Sequence, residues 1–340
     1  MKTEPKALFF AILTIIIASF VGHLFRPVVN ISKAIVNQTP VFALKNDNGR
    51  TNVLILGTGG AGHDGPNLTD TIIVASATAS GNITMISVPR DIYLDSLQSK
   101  INGAYQIGLD RGAGLTTAEQ AISEVTGLPI QYAIRVDFKA FERVIDILDG
   151  IDINVPTVLD DYHYPIDGKE EDVCGYSPQD VATISATIID DQTAFAAFPC
   201  RYTHLHIDAG WQHMDGKTAL EYVRSRHAEG DEGTDFARSR RQQLVIKAVR
   251  DKIISTDNLL NPLKLKAIYD ELKNDVDTNF DLSNLDQLII LGLKYKNSDI
   301  KNVYLDLNLL TNPPADYRGW VLLPKGGTWD QVHQYIKSQL

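Results

Sequence analysis

Five arginines, Arg224, Arg226, Arg238, Arg240 and Arg241, fall within eighteen positions of a chain whose formal net charge is −10. Guanidinium forks pair with carboxylates and phosphates, so a local cluster in an acidic chain points to a specific anion rather than a sticky surface. From Asp235 onward the pattern reads as a helix, capped by Thr234 or Asp235, with Leu244, Val245, Ile246, Ala248 and Val249 as apolar positions. On that helix Arg238, Arg241 and Gln242 stand at i, i+3 and i+4 and share a face near the positive end of the dipole, which suits a phosphate or pyrophosphate. Arg240 points elsewhere. Arg224 and Arg226 would diverge by about 200° on one helix. They converge only if a helix over Asp215–Tyr222 has ended and the chain is extended there. The plainer alternative is a solvated face salt-bridged to Glu229, Asp231 and Glu232.

Further candidates lie upstream. Asp70 opens one apolar run and Pro89-Arg90-Asp91 closes the next. Strand ends are where α/β sheets place ligand groups, and a carboxylate with an Arg–Asp pair there can hold a divalent cation and a phosphate oxygen. A turn-forming aspartate and an ordinary surface salt bridge explain the same residues. Lys100 joins the candidate pyrophosphate binders, and Asp91 and Asp235 are the candidate general bases.

The elements that must position these groups alternate. Asn52–Gly57, Asp70–Ala77, Ile83–Val88, Gln131–Val136 and Gly150–Val155 read as strands, with helices over Thr116–Thr126, ending at Gly127, and Asp137–Leu148. A turn over Thr78–Asn82 joins two of the strands, so the sheet is mixed and the class is layered α/β. Gly57, Gly59 and Gly62 imitate a dinucleotide fingerprint, but another apolar run begins by Asp70 and leaves no room for the helix such a turn must open. After Arg250, helical patterns over Leu259–Leu272 and Leu282–Leu293 precede a strand over Val303–Leu307, a further strand over Trp320–Leu323 and a terminal helix over Trp329–Ile336.

The 340 residues, 44% hydrophobic and 22% charged, suffice for one large domain. The acidic balance and the lack of nucleic-acid-binding signatures argue against a nucleic-acid partner. Ala7–Phe25 carries no charge and is about 28 Å long as a helix, enough to span a membrane. Lys2 and Lys6 before it predict a cytoplasmic N-terminus with the remainder outside. No small-x-small site ends the run, which favours a retained anchor over a cleaved signal. The expected organisation is a tail and anchor over 1–26, a linker over 27–50, the main domain over 51–254 and a C-terminal extension over 255–340 that completes it. Within the main domain, 157–201 reads as an acidic insertion with Lys169 as its one lysine. It contains both cysteines, Cys174 and Cys200, which can pair outside the cytoplasm. His204 and His206 follow at strand alternation. With no third clustered ligand they read as structural histidines.

Taken in order, the motifs NVLILG…LTDTIIV, SVPRD, KINGAY, the DFKAF helix with GIDINV, and DGKTALEYVRSRH…DFARSRRQQ resemble the LytR–CpsA–Psr family of bacterial cell-envelope proteins. The resemblance covers Asn52 to Arg250 and is most specific at SVPRD and YVRSRH…RQQ. It implies a three-layer α/β/α domain outside the cytoplasmic membrane. It also implies a Mg²⁺-dependent transferase that moves a glycopolymer from a polyprenyl-pyrophosphate carrier to a peptidoglycan hydroxyl. Asp70 matches the family's metal-binding aspartate, Arg90 its phosphate-binding arginine with Asp91 beside it, and Arg224, Arg226, Arg238 and Gln242 its pyrophosphate-binding group. The second acidic residue that the family carries after the first strand is replaced here by Gly57-Thr58-Gly59, and Asp64 is the candidate substitute ligand. Phe138, Phe141, Ile145 and Leu148 can line a prenyl groove or simply pack a core. The competing functions are a lipid-pyrophosphate phosphatase and a non-catalytic lipid-binding module. A transcription regulator conflicts with the expected topology.

Overall fold

The computed structural model describes residues 45–340 except 64, 79, 254, 256–261, 281–294, 296–297 and 314–318. The expected membrane span, most of the linker, Asp64 and the helix expected over Leu282–Leu293 lie outside the described residues. The chain begins as a meander of β1 (Arg50–Thr58), β2 (Thr69–Thr78) and β3 (Ile83–Ser87). A small hairpin, β4 (Tyr93–Leu94) and β5 (Ser99–Lys100), leads to helices α1 (Ala104–Leu109) and α2 (Gly114–Thr126). Next come β6 (Tyr132–Asp137), α3 (Phe138–Ile147) and β7 (Ile151–Val155). The acidic segment supplies β8 (Leu159–Pro165), α4 (Pro178–Ser185) and α5 (Asp191–Ala197), followed by β9 (Tyr202–Ile207) and β10 (Gly210–Met214). Helices α6 (Gly216–Arg224), α7 (Asp235–Ile253) and α8 (Pro262–Asp275) come next. The chain closes with β11 (Asp277–Thr278), β12 (Ile300–Tyr304), β13 (Leu310–Thr311), β14 (Leu323–Pro324) and α9 (Asp330–Gln339).

Six strands make the central mixed sheet, in the order β11-β6-β1-β2-β3-β12. β1 pairs in parallel with β6 and β3 with β12, while β2 runs antiparallel between β1 and β3. The C-terminal ends of β1, β3, β6 and β12 therefore emerge along one edge, and β2 starts there. Strand alternation sets the two faces. Leu54, Leu56, Ile72, Val74, Ile86 and Val303 point into a core closed by Ala118 and Ile122 of α2 and by Val332 and Ile336 of α9. On the opposite face, Gln243 of α7 donates to Ser87 at 2.9 Å and accepts from the Tyr304 hydroxyl at 2.6 Å, which seats α7 on β3 and β12. Helices on both faces make the third layer. Gly127 ends α2 in the left-handed conformation, φ 69°.

The strand expected over Gly150–Val155 does not join this sheet. β7 pairs with β10 in a two-stranded ribbon. The reason is legible in its burial: Ile151, Ile153 and Val155 are buried while Asp152 and Asn154 are exposed. A strand with one polar face suits a ribbon wetted on one side, whereas a central parallel strand needs both faces apolar. Its inner face joins Leu159, Leu205, Ile207, Ala219, Tyr222 and Val245 in a second core beneath α3, α6 and α7. Phe141 and Ile145 belong to this core, and Leu148 is fully buried. They are packing residues rather than walls of a groove.

Candidate anion-binding site

At the sheet edge where the parallel strands end, two clefts meet. The polar one, about 290 Å³, is lined by His63, Arg90, Phe138, Tyr164, Glu170, Arg224, Arg226 and His227 among others. The apolar one, about 240 Å³, runs between Ile72, Val88, Phe236, Leu305, Leu307, Leu310, Trp320 and Leu322. Asp70, Arg90, Arg238 and Gln242 border both. Such a crevice outside the carboxyl ends of the strands is the expected ligand position in an open α/β sheet.

Each functional side chain arrives there for a local reason. Asp70 comes with the first residues of β2, and Arg90 with the Pro89 turn after β3. α6 ends at Arg224, and Ser225 is extended with φ −50° and ψ 132°, so Arg224 and Arg226 both reach the polar cleft. α7 starts beneath the cleft, where the Thr234 hydroxyl accepts from the Ala237 N–H at 3.2 Å. One turn in, Arg238 and Gln242 face the junction.

Arg90 donates through Nη1 to Asp70, and its Nε lies 3.6 Å from Asp91. That Nε–H is buried with no hydrogen-bond acceptor. Burial works against its charge, but Asp70, Asp91 and Asp235 outweigh it and raise the Arg90 pKa. Arg238 is 9% exposed and pairs with Asp235 at 2.8 Å. Burial, helped by Arg226 and Arg90, pushes its pKa down to about 10, so it stays charged at neutral pH. Arg226 is exposed yet recessed, and no ion pair or hydrogen bond engages its side chain among the described residues. The cleft walls and then Arg90 lower its pKa. Arg224 lies over the Phe138 ring at 4.6 Å and is held by Asp167 at 3.0 Å. Three guanidiniums thus converge with donors unmet, a site prepared for an anion.

Two expected anion ligands are placed elsewhere. Lys100 Nζ sits 2.7 Å from Asp91 and lines neither cleft, so the pair steadies Arg90 from behind. Arg241 does not share the Arg238 face. It is 1% exposed and turned inward, donating to the carbonyls of Tyr222, Ser225 and Glu232 and to the Glu232 carboxylate. The helical spacing fixes a stripe within 60° or so, and a buried acceptor cluster beside the stripe captured the outer member. Asp161, fully buried, accepts from the Ser225 hydroxyl at 2.7 Å and the His227 N–H at 3.2 Å. It holds the Arg224–Arg226 segment extended. Asp161 and Asp167 carry no signal in the sequence, because their partners lie 64 and 57 residues away, whereas Glu232 is among the acidic partners the spacing offers for the arginines.

The cation that the resemblance implies is Mg²⁺, which takes oxygen donors, commonly one or two carboxylates together with substrate phosphates. The residues fit it. Asp70 is an exposed carboxylate bordering both clefts and Glu170 lines the polar one, while Asp167, paired with Arg224, lies with Glu170 within 4.8 Å of a His63 nitrogen. No acidic side chain takes the place of Gly59: a Cβ there would come within 2.9 Å of His63.

A family model described as the LytR_cpsA_psr family matches residues 19–317. Among curated relatives, "Regulatory protein MsrR" of Staphylococcus aureus is 28% identical over 285 residues, covering 80% of this chain and 71% of that one. A protein of Oceanobacillus iheyensis named polyisoprenyl-teichoic acid–peptidoglycan teichoic acid transferase TagU is 26% identical, covering 74% and 66%. The crystal structure of B. subtilis TagV superposes with a TM-score of 0.58 at 21% identity, covering 87% of this chain and 98% of that one, which supports the fold.

Proposed function

The chain belongs to the LytR_cpsA_psr family, and on that premise we propose that it transfers a glycopolymer from a polyprenyl-pyrophosphate carrier to a hydroxyl of peptidoglycan. The observation that carries this reading is the junction itself. A cationic cleft bearing Arg90, Arg226 and Arg238 opens directly into an apolar cleft bordered by Leu305, Leu307 and Trp320. A pyrophosphate joined to a prenyl chain has this polarity, and a soluble sugar nucleotide does not. The names of the TagU relative and of its kin supply the glycopolymer class. The membrane anchor expected over 7–25, with the domain outside the cytoplasm, would keep the site beside a lipid donor.

In this reading the acceptor oxygen attacks the phosphorus that carries the glycan. The new P–O bond forms as the bond to the prenyl phosphate breaks, and the hydroxyl proton leaves to a base or to solvent. Charge grows on the leaving phosphate, and Arg90, Arg226 and Arg238 stabilise it in a recess where they need no reorganisation. Asp70 and Asp91 hold the Arg90 fork, and Asp235 holds Arg238. Both candidate bases are ion-paired, Asp235 with Arg238 and Asp91 with Lys100, and Asp235 is the better placed because it is 56% exposed at the rim against 14% for Asp91. When bound by Asp70 and the phosphates, Mg²⁺ supplies further neutralisation of the pyrophosphate charge.

The test is product analysis with a labelled lipid-linked glycan, with and without peptidoglycan fragments. Label appearing on the fragments supports transfer. Release of glycan phosphate to water at the same rate in both would establish a hydrolase, and saturable lipid binding without turnover a binding module.

A further inference from the structure

Away from both clefts, on the open side of the β8–β9 ribbon, Asp160, His204 and His206 bring three ligand-type atoms within 4.8 Å of one another. The alternation along β9 puts both histidines on one side, and the ladder places Asp160 directly opposite His206. The Asp160 carboxylate Oδ1 faces His204 Nε2 in hydrogen-bond contact and lies 3.4 Å from His206 Nδ1. This third ligand is 44 residues from His204 in the chain. That separation hides the third ligand from the local sequence around the two histidines.

The outer contacts are those of a ligand set. His206 Nε2 meets Asp208 Oδ1 at 3.2 Å, and a neutral ring that donates there turns its Nδ1 lone pair toward Asp160. A lone pair facing a carboxylate oxygen is repulsive unless a proton or a cation lies between them. The His204 ring stacks flat on Tyr162, with centroids 4.2 Å apart and planes 1° apart, which fixes its orientation. Two imidazoles and one carboxylate suit a borderline divalent transition cation rather than Mg²⁺ or Ca²⁺.

We propose that Asp160, His204 and His206 bind a divalent transition-metal ion, with Asp208 as the outer carboxylate that orients His206. The site is joined to the anion cleft through the backbone. The Asp160 carbonyl accepts from the Glu229 N–H at 2.8 Å, and the next residue, Asp161, holds Ser225 and His227. A cation clamping β8 to β9 steadies the support on which Arg224 and Arg226 rest. It is separate from the cation of the transfer reaction and does not depend on that function.

The experiment is calorimetric titration of the metal-stripped full chain with Zn²⁺, with the visible absorption of added Co²⁺ as a second readout of nitrogen ligation. One equivalent is expected at this site. His204→Ala and His206→Ala each lower its affinity at least about tenfold, and Asp208→Asn about tenfold with all three ligands intact. All three positions are exposed, so the variants keep the fold, which far-UV circular dichroism verifies. Because His63, Asp167 and Glu170 form a second possible group, the equivalent must survive in His63→Ala. No saturable Zn²⁺ binding, or binding unchanged in a His204→Ala/His206→Ala double variant, would overturn the proposal.

Discussion

Arg241 and Glu232 form a buried ion pair, Nη1 to Oε2 at 2.8 Å, directly beneath the segment that carries Arg224 and Arg226. Three backbone carbonyls, of Tyr222, Ser225 and Glu232, also accept from Arg241, so that Nε and both Nη atoms are engaged. Arg241→Ala leaves those buried carbonyls without their donor and Glu232 with Arg240 alone, at 3.3 Å. The expected cost is about 3–5 kcal/mol of stability, read by denaturant unfolding. Arg238, three residues earlier on the helix, has one ion-pair partner, Asp235, and the attraction of Asp70 is set against the repulsion of Arg226 and Arg90, so Arg238→Ala should change stability by about 1 kcal/mol or less. Equal losses for the two would contradict the division between a supporting and a binding arginine.

Arg226 has like charges nearby and no bonded partner among the described residues. Arg226→Ala should therefore leave the melting temperature unchanged or slightly raised while weakening pyrophosphate binding. Loss of one charge-assisted hydrogen bond corresponds to about 1.5–3 kcal/mol, or roughly tenfold to a hundredfold in Kd. Calorimetry with inorganic pyrophosphate reads the affinity, and scanning fluorimetry reads the stability.

His227 lines the same cleft, and burial lowers its pKa below that of a free imidazole, with Arg226 and His163 adding to the effect against Asp161 and Asp191. The unfolded chain takes up this proton first as the pH falls. The contribution of His227 to stability is thus complete above about pH 6.5 and is lost as the pH drops through the lower folded value. A bound anion favours the protonated ring, so anion affinity should rise over the same interval. His227→Gln should flatten both trends between about pH 7 and 5. Profiles indistinguishable from the parent would show that His227 does not titrate against the site.

Cys174 and Cys200 are joined in a disulfide that closes a 26-residue separation within the acidic segment. Chain-entropy arguments put such a closure at about 3 kcal/mol. Its effect should be confined to residues 157–201, because neither central core includes the bridge. Reduction should speed amide exchange there while the central sheet stays protected. It should also weaken anion binding modestly, since Asp167 on that segment holds Arg224. Global unfolding on reduction would show that the segment is part of the main cooperative unit.

What could be read from the chain was what is local in it. The helix from Asp235, the termination that lets Arg224 and Arg226 converge, and the mixed meander through Asp70 and Arg90 follow from spacing and turn chemistry. Contacts of long separation were hidden. Gln243 reaches Ser87 across 156 positions, Asp161 reaches Ser225 across 64, and neither leaves a periodic trace. The inward turn of Arg241, away from the face of Arg238, is hidden for the same reason: its buried acceptors lie on other elements. Of the two roles open to the apolar residues of α3, core packing holds for Phe141, Ile145 and Leu148, and the walls of the apolar cleft come partly from Leu305, Leu307, Leu310, Trp320 and Leu322, outside the stretch carrying the motifs. Among the carboxylates near the polar cleft, Asp70 is evident from the sequence, while the proximity of Asp167 and Glu170 to His63 is evident only from the fold.

The central claim is that one lipid pyrophosphate lies across the junction of the two clefts. The most direct measurement is mass spectrometry of the full chain purified from membranes, in parallel with Arg238→Ala, for co-purifying polyprenyl phosphate or pyrophosphate. The account predicts the lipid on the parent chain, displaced by excess inorganic pyrophosphate and lost from the folded variant. Lipid retained equally by Arg238→Ala, or no binding even when purified polyprenyl pyrophosphate is added, would contradict it.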